Sequence, residues 1–244
     1  MTIDAVEWLT RANARYIGAV EFRQVAMRIE GGLFSRTLKL RTLRILQNDV
    51  ARSVFCITHP PPFANINYVT TEHRGHIDPF EISLYLPYAL GTRRVLEAAR
   101  RRETFLGGDF AYDDLRVWLP TQQHSYEMRM GRSSICLRGA CTDEAATIRS
   151  AGRPFDVYLD PATAFVERID YLNATGESIV RTYSVPDTTI VEGVVMPAVM
   201  VMHDYERRHR TSIMLERAWI GESTDEAIFA PEQQAQLRSR LMDL

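Results

Sequence analysis

After Gly18 the chain becomes a long series of short β-rich segments, and that series constrains the fold more than any other feature. "VEFRQVAMRIE", "RTLKLRTLRIL" and "RSVFCITH" show partial alternation and are divided by "GGLFS" and "QNDVA". "HPPPFAN" interrupts the series, because proline cannot donate to a ladder. Further segments run from "INYVTTEH" and "EISLYLP" to "VVMPAVMVMHDYE" and "TSIMLERAWI", with turn signals such as "NATGE" and "YLDPAT" between several of them. Helical pattern is confined to the N-terminus, a short piece near Phe110, and "APEQQAQLRSRLMDL" at the end. In the first, Thr2 suits a cap and Gly18 a stop; in the last, Pro231 suits a first helical position and Leu237, Leu241 and Leu244 form one stripe. No linker divides the chain. The expectation is one mainly β domain, residues 1–244, built as a sandwich or barrel of antiparallel strands. Strands such as "PAVMVM" are apolar on both faces, which suits a sheet wrapped around a helix and partly covered outside.

Composition narrows the function classes. A net charge of −2 gives no electrostatic reason to expect nucleic acid. No apolar run approaches the ~18 residues of a membrane-spanning helix. The first residues carry no basic stretch and no apolar core of a signal peptide, so two readings stay open. The protein is cytoplasmic if Met1 is the natural start, and periplasmic if a signal has been removed. Cys56, Cys136 and Cys141 lack zinc spacing; a Cys136–Cys141 disulfide would require export. His73, His76 and Asp78 have the look of a metal set, but Arg74 and Gly75 between them favour a solvated hairpin. No nucleophile elbow, P-loop or dinucleotide fingerprint is present, and no metal or cofactor is expected. "RSAGRP" at 149–154 reads as a loop.

The densest motif is "FLGGDFAYDDL", Phe105 to Leu115. Gly107 and Gly108 allow a sharp turn out of a strand. Asp109 is placed to cap a short helix beginning at Phe110, with Asp113 and Asp114 in its first turn. Leu106 and Phe110 then point at apolar neighbours. The aspartates need no catalytic explanation on this reading.

The motif resembles the Phe-Met/Leu-Gly-Ser-Asp-Phe-Ser/Thr-Tyr-Glu/Asp-Asp signature of the bacterial lipoprotein-sorting, LolA-like family. It departs at Gly108, where serine is usual, and at Ala111, where serine or threonine is. Upstream, "LYLPYALGTRRV" is similar to that family's Leu-Tyr-Leu-Pro-Ala-Leu and following basic residues, with Tyr88 inserted and Ser83 at a common tryptophan position. "ITHPPPFANINYV" and the strand–turn rhythm of 155–185 extend the likeness over roughly residues 1–235. The resemblance implies an open, unclosed antiparallel β-barrel wrapped around or lidded by a few helices. It also implies a concave face that binds an acyl chain or other lipophilic molecule, with a membrane-associated transport partner if the protein is exported. Phe105, Phe110 and Tyr112 would then face the cavity, with Tyr68, Tyr85, Met200, Val201 and His203 as further lining. The rival expectation is a cofactor-free cytosolic enzyme, a cyclase or isomerase acting on a polyketide-like or lipid substrate. Asp109, Tyr112, Asp113 or His203 would be its acid or base.

Overall fold

A computed structural model describes residues 5–15, 17–64, 66–74, 80–86, 92–95, 103–119, 124–130, 134–141, 154–224, 226–230, 236 and 240–241. Strands β1 (Val20–Gly31), β2 (Phe34–Gln47), β3 (Val50–His59), β4 (Asn67–His73), β5 (Glu81–Leu86) and β6 (Thr92–Val95) form one meander. Strands β7 (His124–Met130), β8 (Ile135–Cys141), β9 (Phe155–Leu159), β10 (Val166–Leu172), β11 (Ile179–Val191), β12 (Val194–Asp204) and β13 (His209–Gly221) form the other. Helix α1 (Ala5–Ala14) precedes them. The meanders join where β1 pairs β13, giving, among the described residues, a single antiparallel sheet of thirteen strands with β6 and β7 at opposite edges. The barrel is unclosed, and β6 and β7 follow one another in sequence. Their connection therefore has to cross a face of the sheet, and "FLGGDFAYDDL" lies in that crossing.

Alternation along the strands separates two apolar faces. On the inner face Val25, Met27, Leu38, Leu40, Ile57, Tyr68, Ile82 and Met202 pack around Phe105, Phe110 and Tyr112 of the crossing segment. Tyr171 and Tyr183 join them from β10 and β11. A sheet whose strands from β5 through β1 to β10 all reach one short segment must curve around it. Trp8 and Leu9 of α1 pack on Leu137, Val157 and Ile169, which cross-strand pairing to Tyr183 places on the same face. On the outer face Phe22, Leu43, Val54 and Cys56 are covered by Ile228, Phe229 and Leu241 from the C-terminal segment. Both-faced apolar strands thus have a covering on each side.

Several sequence expectations change. The first helix is described over Ala5–Ala14, with Gly18 at φ +83° in the connection to β1, while Thr2 lies outside the described residues. "GGLFS" is a tight hairpin in which Phe34 already belongs to β2. Cys136 and Cys141 stand near the two ends of one strand. At ~3.3 Å per residue that spacing is far beyond disulfide reach, so the pairing is excluded. His76 and Asp78, residues 149–153, and Pro231, Leu237 and Leu244 lie outside the described residues.

Burial on both faces makes a testable statement. Met27 (inner) and Leu43 (outer) are each 0% exposed. Met27→Ala and Leu43→Ala should each lower unfolding free energy by about 2–5 kcal/mol in denaturant titrations. If only one of the two is costly, the sheet is not buried on both sides.

Candidate functional site

The crossing segment folds on itself before it meets the sheet. Thr104 bridges Ala111, and the Phe105 N–H donates to the Phe110 carbonyl at 2.6 Å. A 3₁₀ turn over Phe105–Gly107 carries Leu106 at φ +55° and Gly107 at φ +69°, left-handed backbone that a leucine rarely adopts. A second 3₁₀ turn covers Tyr112–Leu115. Its cap is made from inside: the Asp114 carboxylate accepts the Ala111 N–H at 2.6 Å.

Asp109 is not a helix cap. Phe110 is outside both turns, and the Asp109 side chain, 0% exposed, reaches across to β13 instead. Thr211 Oγ1 donates to Asp109 Oδ2 at 2.7 Å and accepts the Asp109 N–H at 3.0 Å. His209 Nδ1 donates to the same carboxylate, at 2.7 and 2.8 Å from its two oxygens. Arg207 Nη1 stands 3.7 Å away. The His209 ring packs against Gly31, where a built Cβ would fall 1.6 Å from Cδ2, so only glycine permits this contact.

The rest of the segment is held the same way, by side chains of the sheet and of its β12–β13 turn. Arg36 donates to the Leu106 carbonyl, Arg207 to that of Gly108 and Arg181 to that of Asp109. Tyr171 donates its hydroxyl to Asp114 at 2.7 Å, and Arg181 stands 3.4 Å from Asp114. Burial first, then the Asp114 charge, pushes the Tyr171 hydroxyl well above its ordinary pKa, keeping it a donor. Glu72 on β4 accepts the Val117 N–H at 2.7 Å. Burial, partly offset by Arg116, raises its carboxyl to about 7. The rings then fill the space between: Phe105 meets Tyr68, Phe55 and Tyr112 at centroid distances of 5.1, 5.9 and 5.7 Å, and Phe110 meets Tyr183 at 6.3 Å.

The structure brings Phe105, Phe110, Tyr112 and Tyr68 together, with half-buried Met200 against them. It separates the others. Tyr85 pairs Asn67, which pairs Cys56, so it faces outward. Val201 and His203 alternate with Met200 and Met202 and also face outward. Asp113 sits 3.6 Å from Arg116, away from Asp109. The four acid–base candidates therefore do not converge. His209 and Thr211, which complete the Asp109 arrangement, were missed; their only sequence signal is a polar pair two residues apart at the start of an apolar strand. A cleft of about 410 Å³ opens beside His209, lined also by Gly31, His203, Tyr205, Arg208 and Arg210. Among the described residues no group of three or more histidine, cysteine or acidic side chains is arranged to hold a metal ion.

Substitutions test this geometry. Asp109→Asn keeps the shape but loses the charge-assisted bonds, and should cost about 1–3 kcal/mol; Thr211→Val should cost a similar amount, and the double variant less than their sum. Asp113→Asn should stay within about 0.5 kcal/mol. Glu72 binds its proton more tightly folded than unfolded, so its contribution is fully present below its ordinary value of 4.5 and is lost as pH rises through about 7. Glu72→Gln keeps an acceptor for Val117. Its stability should therefore fall less than wild type between about pH 5 and 8 in paired melting curves.

Comparison with known structures supports the architecture. A putative outer membrane lipoprotein-sorting protein domain from Vibrio parahaemolyticus superposes with TM-score 0.83 at 17% identity, covering 94% of this chain and 97% of its own. A DUF1329 family protein from Desulfovibrio piger superposes with TM-score 0.77 at 15% identity over 92% of this chain and 95% of its own. A LolA superfamily protein from Nitrosomonas europaea gives 0.66 at 13% identity over 93% and 97%. At such identities these likenesses establish the fold. No curated protein matches the sequence. A family model described as "Uncharacterized protein" matches residues 49–235, most of the chain. The chain thus has the open-barrel fold of the lipoprotein-sorting and LolA superfamily proteins and belongs to the family of that model.

Proposed function

We propose that the protein is a carrier or binding module for a lipophilic chain, taken up on the inner face of its half-barrel. One observation carries this reading. Among the described residues the apolar inner face is covered by one ten-residue helix and a tethered loop, and its closing edge strands, β6 and β7, lie at opposite ends of the sheet. A chain that replaces or slides beside such a covering gains ~0.8 kcal/mol per buried CH₂, less the ordering cost. The lipoprotein-sorting name of a structural neighbour supports the same ligand class and a place of work beside an envelope membrane, with export as its requirement. Among the described residues no helix is long and apolar enough to cross a membrane.

The second reading, a cofactor-free acid–base enzyme, has one observation in its favour. Asp109 holds His209 through Nδ1, and His209 lines the cleft. It predicts chemistry at that cleft, not on the inner face.

Adjacent residues of β13 test the carrier reading. Ile213 packs toward the inner cluster, whereas Met214 is 39% exposed on the outer face. With a fluorescent fatty-acid probe, Ile213→Asp should weaken binding by about tenfold or more and Met214→Asp by less than about twofold, in variants that retain cooperative melting. Wild-type protein that carries no lipid adduct in native mass spectrometry and binds no probe would remove the reading.

A further inference from the structure

The inner face is not apolar along its whole length. Toward the end remote from His209, strict pairing of β1 with β2 continues the inward series Ile29, Met27 and Val25 through Arg23 to Glu21, and places Arg44 opposite Glu21. Arg23 Nη2 lies 2.7 Å and Arg44 Nη2 3.0 Å from the same oxygen of Glu21, and Arg44 Nη2 also donates to the Ile17 carbonyl at 2.5 Å. The three side chains are 18%, 12% and 6% exposed for Arg23, Arg44 and Glu21. Two buried guanidiniums thus share one carboxylate. Burial alone would raise the Glu21 pKa; Arg23 and Arg44 outweigh it and hold the carboxyl below its usual range, so it is an anion. The cluster keeps one positive charge in excess, and the Nε donors of Arg23 and Arg44 are buried without a hydrogen-bond partner among the described residues. Buried charge and orphaned donors are both costly unless something anionic meets them. The cluster adjoins the apolar part of the same face, because Thr42, paired with Arg23, also pairs with Phe55 beside the Phe105 ring.

We propose that Arg23 and Arg44 form the head-group site for a long-chain carboxylate, whose tail lies along the apolar inner face. This rests on the carrier reading and specifies its ligand as a monoanionic amphiphile. Guanidinium groups suit a carboxylate through paired N–H donors, and a single negative charge balances the excess. A neutral head would leave that charge uncompensated, and a dianion would overshoot it.

The test compares two probes with the same tail fluorophore, a long-chain fatty acid and the matching fatty alcohol. Wild-type protein should bind the acid about tenfold or more tightly than the alcohol, with the preference weakening only slightly in salt, as for a buried pair. Arg23→Gln should bring the two affinities within about threefold while leaving alcohol binding in place. Glu21→Gln removes the competing carboxylate and should strengthen acid binding. This variant keeps the test open should a guanidinium variant fail to fold. Equal binding of acid and alcohol by the wild type, or a preference that survives Arg23→Gln, would overturn the head-group site and leave the carrier reading standing. Binding of neither probe would remove both.

Discussion

A carboxylate with no access to water holds the crossing segment to the sheet. Asp109 takes its bonds from Thr211 and His209 on β13, the strand that joins the two meanders. The aromatic rings of the segment supply most of the buried area, but apolar contact is non-directional and does not choose between nearby placements. Hydrogen bonds do choose, because they weaken steeply with distance and angle. A loop of two short 3₁₀ turns leaves many carbonyls without an intraloop donor, and Arg36, Arg181 and Arg207 meet three of them. Phe105, Phe110 and Tyr112 are thereby placed where the strands can close around them. The curvature of the sheet depends on that placement.

Much of this architecture was legible in the chain. Strand content, hairpin turns and the scarcity of helical pattern follow from local chemistry, and strands apolar on both faces ask for two coverings, which for β1–β3 the crossing segment and Ile228–Phe229 provide. The partner of Asp109 was not legible. "GGDF" before a short polar turn reads as a cap, and the local alternative is always the cheaper inference. Its actual partners are about a hundred residues away, and their approach depends on the β1–β13 register. No short-range pattern encodes that register.

The same limit explains the separated lining residues. Met200, Val201 and His203 are close in sequence, yet period-two alternation sends the first inward and the other two outward. Tyr68 and Tyr85 both lie on strands flanking the crossing, but only Tyr68 shares the parity of Phe55. Residue type and proximity along the chain identify a strand's contribution to a core. Face assignment needs a fixed reference, and Phe105 supplies it only after the chain has crossed back over the sheet. The Glu21–Arg23–Arg44 cluster was hidden for the same reason: on paper "VEFRQV" is an ordinary amphipathic strand whose charges belong in water.

The motif's two departures from its lipoprotein-sorting likeness have physical counterparts. A Cβ built on Gly108 would lie 2.7 Å from Met27 Cε and 3.0 Å from Thr211 Oγ1. Met27 occupies the space a serine side chain would need, and Thr211 already supplies a hydroxyl to this part of the loop, accepting the Asp109 N–H and donating to its carboxylate. At position 111, alanine cannot cap the following turn. Asp114 reaches back to the Ala111 N–H, and its other oxygen accepts the Tyr171 hydroxyl. The hydroxyl near Gly108 comes from β13, whereas at Ala111 the motif closes on itself, the Asp114 N–H donating to the Ala111 carbonyl at 3.1 Å. What the motif supplies in this chain is therefore a set of satisfied backbone groups around a buried aspartate, and the sheet that holds the crossing segment in place provides part of the partners.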